Sequence, residues 1–111
     1  MRYLAISRPT GRPRNTGEPD DMDAEIANGR RLYEQGVIVE GYMDPGYSTA
    51  YFLIDAPDLD TVRAHLATYP QVRSGQSTYD VVQLIGLPAI AQSAKDHGQP
   101  LPAWWPPTAN S

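Results

Sequence analysis

Apolar positions along the chain fall into short runs, some alternating and some helical in spacing, divided by proline and glycine. Residues 1–7, "MRYLAIS", alternate weakly, and "RPTGRPRNTGEP" follows, so the pattern predicts a strand and then a long loop. In "DDMDAEIANGRRLYEQG" the acids come first, where the positive end of a helix dipole favours them, and Gly36 offers a C-terminal stop. Met22, Ile26, Gly29, Leu32 and Tyr33 form one stripe, as expected for a helix packed on a sheet.

Two β-rich runs come next, "VIVEGYM" and "YSTAYFLIDA", joined through "DPG". Proline presets φ and glycine accepts φ > 0, so this is a hairpin. Pro57 disfavours helix at Ala56 and Asp58 is a good N-cap, which starts a helix bearing Leu59, Val62, Leu66 and Tyr69 and ending at Pro70. "QSTYDVVQLIG" reads as the fourth strand. The order β-α-β-β-α-β predicts an α+β, ferredoxin-like domain with a four-stranded antiparallel sheet over residues 1–86. Residues 87–111 predict a short C-terminal helix and a proline-rich tail with Trp104 and Trp105, packing on the domain or on a partner subunit. Stiff, proline-flanked tryptophans can lid a pocket or dock on a neighbour, and docking is the favoured reading.

If Pro45 and Gly46 make a two-residue loop, the hairpin has two unlike faces. One carries Val37, Val39, Gly41, Ala50, Phe52 and Ile54 and suits packing on helices. The other carries Ile38, Glu40, Tyr42, Thr49, Tyr51 and Leu53, with Glu40 opposite Tyr51. That second face is left uncovered by helices on one side alone, and a homodimer stacking such faces is the economical solution.

Composition narrows the classes. The chain has 111 residues, enough for one domain, and is 41% hydrophobic and 20% charged. No window approaches a membrane span and no signal peptide is legible, so a cytoplasmic location without membrane partners is expected. There is no cysteine, which removes disulfides, thiolate nucleophiles and cysteine metal sites. A net charge of −4 argues against nucleic acid. Lys95 is the one lysine, so Schiff-base chemistry is set aside, and His65 and His97, the two histidines, have no carboxylate–histidine spacing for a metal.

"RRLYEQGVI", "AYFLIDAPDLDTVRAHLATYPQV" and "TYDVVQL" together resemble muconolactone Δ-isomerase-like proteins of the dimeric α+β barrel superfamily. The likeness spans residues 32–84. It rests on a helix ending in glycine, a strand entering an "F-D-x-P-S"-like turn (here Ile54-Asp55-Ala56-Pro57-Asp58), and a helix ending in an "L-P"-like Tyr69-Pro70. The first helix is shorter than in the isomerases and the arginine-rich loop before it is longer. The resemblance implies a homodimer that needs no cofactor. It also implies acid–base residues around the first helix, where Glu25, at the edge of the apolar stripe, is the nearest candidate. The superfamily hosts several chemistries, so fold alone does not fix the reaction.

The residues nominate their own candidates. Glu40, on a strand between Val39 and Gly41, is either a partly desolvated proton shuttle or half of an interface ion pair with a partner's arginine. His65, on the flank of its helix, is either an ordinary helix histidine or a general acid–base. Tyr51 or Tyr42 can donate a hydrogen bond to a developing enolate. Of Arg8, Arg12 and Arg14, Arg8 is nearest a strand end and is chosen to hold a substrate anion, with Arg73 as a second choice and Asp80 as that arginine's possible structural partner. The reading is an acid–base enzyme acting on a small oxygenated molecule. It isomerises or cyclises by proton transfer next to a carbonyl, as a lactone isomerase or a secondary-metabolism cyclase does. The alternatives are cofactor-free monooxygenation of a phenol or quinol, and a non-catalytic small-molecule binding module.

Overall fold

The computed structural model describes residues 1–12 and 22–101. Arg14, Trp104 and Trp105 lie outside them. Four strands, β1 (Arg2–Pro9), β2 (Ile38–Met43), β3 (Ala50–Asp55) and β4 (Ser77–Leu84), form one antiparallel sheet in the order β2-β3-β1-β4. Helix α1 (Met22–Glu34) links β1 to β2, while α2 (Leu59–Leu66) and the short α3 (Pro70–Arg73) link β3 to β4. Helix α4 (Pro88–Asp96) follows the last strand. This open α+β arrangement is compatible with a ferredoxin-like fold. No described helix is long and apolar enough to cross a membrane.

Local chemistry explains the boundaries. Gly36, at φ +77°, closes α1 in a Schellman motif: its N–H donates to the Tyr33 carbonyl, and Val37 N–H donates to that of Leu32 at 2.9 Å. Asp58 caps α2 by accepting from Thr61 N at 2.7 Å. Pro70 does more than stop that helix. It opens α3, where a missing N–H costs nothing, and so puts Arg73 on a helix rather than in a loop.

The core lies between the helices and one sheet face. Tyr3, Ala5, Ile38, Ile54 and Tyr79 meet Leu32, Val62, Leu66 and Tyr69 there, all buried. Phe52, Tyr69 and Tyr79 form an aromatic cluster with centroids 5.8–6.1 Å apart. The buried line of α1 runs through Glu25, Asn28, Gly29 and Leu32. The expected stripe was centred further round the helix, and Met22, Ile26 and Tyr33 are in fact exposed.

The hairpin register also differs from expectation. The loop spans residues 44–49, because the Asp44 carboxylate accepts from Ser48 N at 2.8 Å and Thr49 N at 2.6 Å. Those donors would otherwise have joined the ladder. Tyr42 therefore pairs with Tyr51, and Glu40 with Leu53 rather than Tyr51. An irregularity between Ile38 and Glu40 sets Ile38 opposite Ile54, which carries Ile38 to the buried face.

Leu32, fully buried where α1 meets the sheet, tests this packing. Leu32→Ala is expected to lower unfolding free energy by about 2–5 kcal/mol in urea titrations. The exposed Ile26→Ala change should cost far less.

Candidate functional site

The sheet row that begins at Ser7 is built from small side chains. Ser7 pairs with Tyr79, and its Oγ accepts from Ala50 N at 2.8 Å, so Ser7 and Ala50 together leave space where Phe52 fills the neighbouring row. The space opens as a cleft of about 250 Å³ on the helix side of the sheet. Ser7, Ala50, Ser77 and Tyr79 form its floor. Met22 and Glu25 of α1 and Gln71 and Val72 of α3 form its walls, with Met43, Tyr47 and Ser48 at the hairpin end.

Glu25 stands in the first turn of α1, half-buried, and its Oε1 accepts from Gln71 N at 2.6 Å. One carboxylate thus stitches α1 to α3 and faces the cleft. Tyr79 is buried, and burial pushes its hydroxyl pKa well above the usual tyrosine value, with the neighbouring Tyr69 and the Glu25 charge adding to the effect. A phenol so placed stays protonated through the neutral range and keeps its donor. Arg8 borders the cleft at the end of β1. Alternation along the strand puts its side chain with Leu4 and Ile6 on the opposite sheet face, so it does not hold an anion in the cleft. Its Nε donates there to Asp80 at 2.8 Å. Asp80 therefore partners Arg8, not Arg73.

Of the residues nominated from sequence, Glu25 and Arg8 border this cleft, the latter with its side chain turned to the other face. Glu40, Tyr42 and Tyr51 share the opposite sheet face. There Glu40 hydrogen-bonds the Tyr42 hydroxyl and, with its charge, raises the tyrosine's pKa. His65 is half-buried on α2, apart from the cleft lining. Arg73 borders a separate open groove with Asn28, Arg31 and Thr68. Arg12 is a tie rather than a clamp: its Nη1 donates to the Ser74 carbonyl and lies over Gly75. Among the described residues, no group of three or more His, Asp or Glu side chains converges as a metal site does.

The sequence reading missed Ser7, Gln71 and Tyr79. Alternation along "YLAIS" was the available signal, since it puts Ser7 on the face of Tyr3 and Ala5.

Beside this cleft, Tyr69 has a buried hydroxyl with no hydrogen-bond partner among the described residues. Burial chiefly, and then the Glu25 charge, push its pKa up to about 12. An unfolded tyrosine ionises near 10. Above that pH the unfolded chain therefore binds fewer protons than the folded one, and stability falls until the folded group also ionises. Tyr69→Phe is expected to shallow this alkaline loss. At neutral pH it should leave the melting temperature equal or higher, because an unpaired buried hydroxyl is removed. Thermal melts from pH 7 to 12 check both effects.

No known family model matches the chain, and no curated protein is similar to it.

Proposed function

We propose that the protein is a cofactor-independent acid–base enzyme that moves a proton next to a carbonyl in a small oxygenated molecule. The observation that carries this reading is the cleft lined by Glu25 and Tyr79, with Ser7 on its floor. Glu25 takes a proton from the carbon next to the carbonyl, and the electron pair moves to the oxygen as an enolate. The Tyr79 hydroxyl donates a hydrogen bond to that oxygen. Returning the proton to a different carbon of the conjugated system shifts the double bond, and the enolate collapses to a carbonyl. This is the chemistry of a lactone isomerase or a tailoring cyclase. The likeness of residues 32–84 to muconolactone isomerase-like proteins supports it.

The same reading includes a homodimeric α+β barrel. The sheet face away from the helices carries Leu4, Ile6, Tyr51, Leu53 and Val82, half-buried or exposed. Ion pairs flank this apolar patch, Arg2–Asp55 at one end and Arg8–Asp80 at the other. A patch with both charges at its border is self-complementary under a two-fold axis. Glu40 then belongs to an interface and not to the catalytic cleft.

Two experiments test the reading. Purified protein in heavy water, under argon, should catalyse deuterium uptake into members of a panel of butenolides and hydroxyquinones, read by proton NMR and mass spectrometry. Glu25→Gln keeps an oxygen for Gln71 N and should lose roughly a hundredfold or more of the rate, while Glu40→Gln stays near wild type. Oxygen incorporation that requires air would replace this reaction with monooxygenation, and silence in both atmospheres would favour a binding module. For assembly, sedimentation should give a dimer for the wild type. Val82→Glu, at a position 51% exposed in one subunit, should give a folded monomer.

A further inference from the structure

Tyr47 is the one non-glycine residue at positive φ among those described, at +56°. The turn before it explains the position but not the residue. Tyr47 N–H donates to the Asp44 carbonyl at 2.9 Å across Pro45 and Gly46, and Tyr47 itself then turns left-handed. Glycine or asparagine takes that conformation at little cost, whereas a bulky side chain there crowds its own backbone. The sequence places its glycine one residue earlier, where φ is not positive.

Nothing within the fold compensates. Tyr47 is 81% exposed and its side chain makes no hydrogen bond or ring contact among the described residues. The loop itself is firmly held, since the Asp44 carboxylate also accepts from Ser48 Oγ at 2.7 Å, beyond its two bonds to backbone. A strained residue kept in place by an over-determined loop is where a functional side chain is to be sought. What this one does is border the cleft, with Met22 and Met43 also at its walls and Tyr79 on its floor.

We infer that Tyr47 is a specificity-determining residue whose ring forms one side of a slot for a flat, conjugated ring. This rests on the reading of the cleft as the substrate site and adds to it a substrate shape. An aromatic ring and two methionine sulfurs favour a planar π-system over a saturated ring of equal size, by stacking and by sulfur–aromatic contact. Ser7 and Tyr79, deeper in the cleft, meet an oxygen substituent.

Naphthol and its fully saturated analogue, decahydronaphthol, are suitable probes, titrated by calorimetry and by NMR shifts of cleft residues. Wild type and Tyr47→Phe should bind naphthol about fivefold more tightly than the saturated alcohol, the scale expected of ring stacking. Tyr47→Asn, which tolerates the left-handed backbone, should melt higher yet bind the two probes within about twofold of each other. If Tyr47→Asn keeps the wild-type preference, the residue is a turn feature and the inference is overturned. Equal binding of both probes by the wild type also overturns it and leaves the cleft as a site. If the wild type binds neither probe, the cleft reading fails and takes the inference with it.

Discussion

The close approach of α1 to the Tyr69 ring at Gly29 governs the working end of the molecule. The Tyr69 hydroxyl rises from the aromatic cluster into the space a side chain would occupy there, and a Cβ on residue 29 would sit 3.2 Å from that oxygen. Ordinary contact needs more room, so any other residue would push the helix or the ring aside. Glu25 lies one turn before Gly29 on the same buried line. The depth at which α1 rides on Tyr69 therefore sets the depth at which the Glu25 carboxylate stands over the cleft. The unpaired Tyr69 hydroxyl is a local cost, and it falls where the geometry of the site is decided.

Much of the scaffold was legible because its punctuation is chemical. Gly36, Pro57, Asp58 and Pro70 mark element ends by the φ angles and hydrogen bonds they permit, and each acts locally. The hairpin was harder. "DPG" announces a turn, but the length of the loop depends on whether the Asp44 side chain captures the two N–H groups beyond it, a competition that residue types alone do not decide. A shift of the loop changed every cross-strand partner and dissolved the expected Glu40–Tyr51 pair. The site was legible least. Glu40 drew attention as a carboxylate in an apolar strand, yet its strand lies at the sheet's edge and the side chain is exposed. Tyr79 and Ser7 drew none, because their importance comes from adjacency across β1 and β4, which are far apart in the chain.

The two sheet faces answer different demands. Toward the helices, rows of large and small side chains alternate, so that Phe52 and its aromatic neighbours fill one row and Ser7 with Ala50 leaves the next one hollow. On the other face the row of Leu4, Leu53 and Val82 has no such gap, and its charges are paired at the borders. A hollow bounded by hydrogen-bonding groups is suited to a small molecule, while a filled apolar patch with paired charges is suited to a flat partner. Irregular pairing after Ile38 assists this division. It returns Ile38 to the core and leaves Glu40 on the outer face, beside Tyr42.

Glu25 carries two tasks that pull against each other. As the acceptor for Gln71 N at 2.6 Å it fixes α3 against α1, which favours a permanently ionised, stationary carboxylate. A proton-transfer base must instead change charge in each cycle. A carboxyl group can satisfy both demands because it has two oxygens. Protonation of one oxygen leaves the other an acceptor, so the stitch between the helices survives the step that alters the charge. A histidine in this place would lose its acceptor on protonation, and a lysine never has one. The bond that organises the cleft thus also restricts which kind of side chain can do chemistry there.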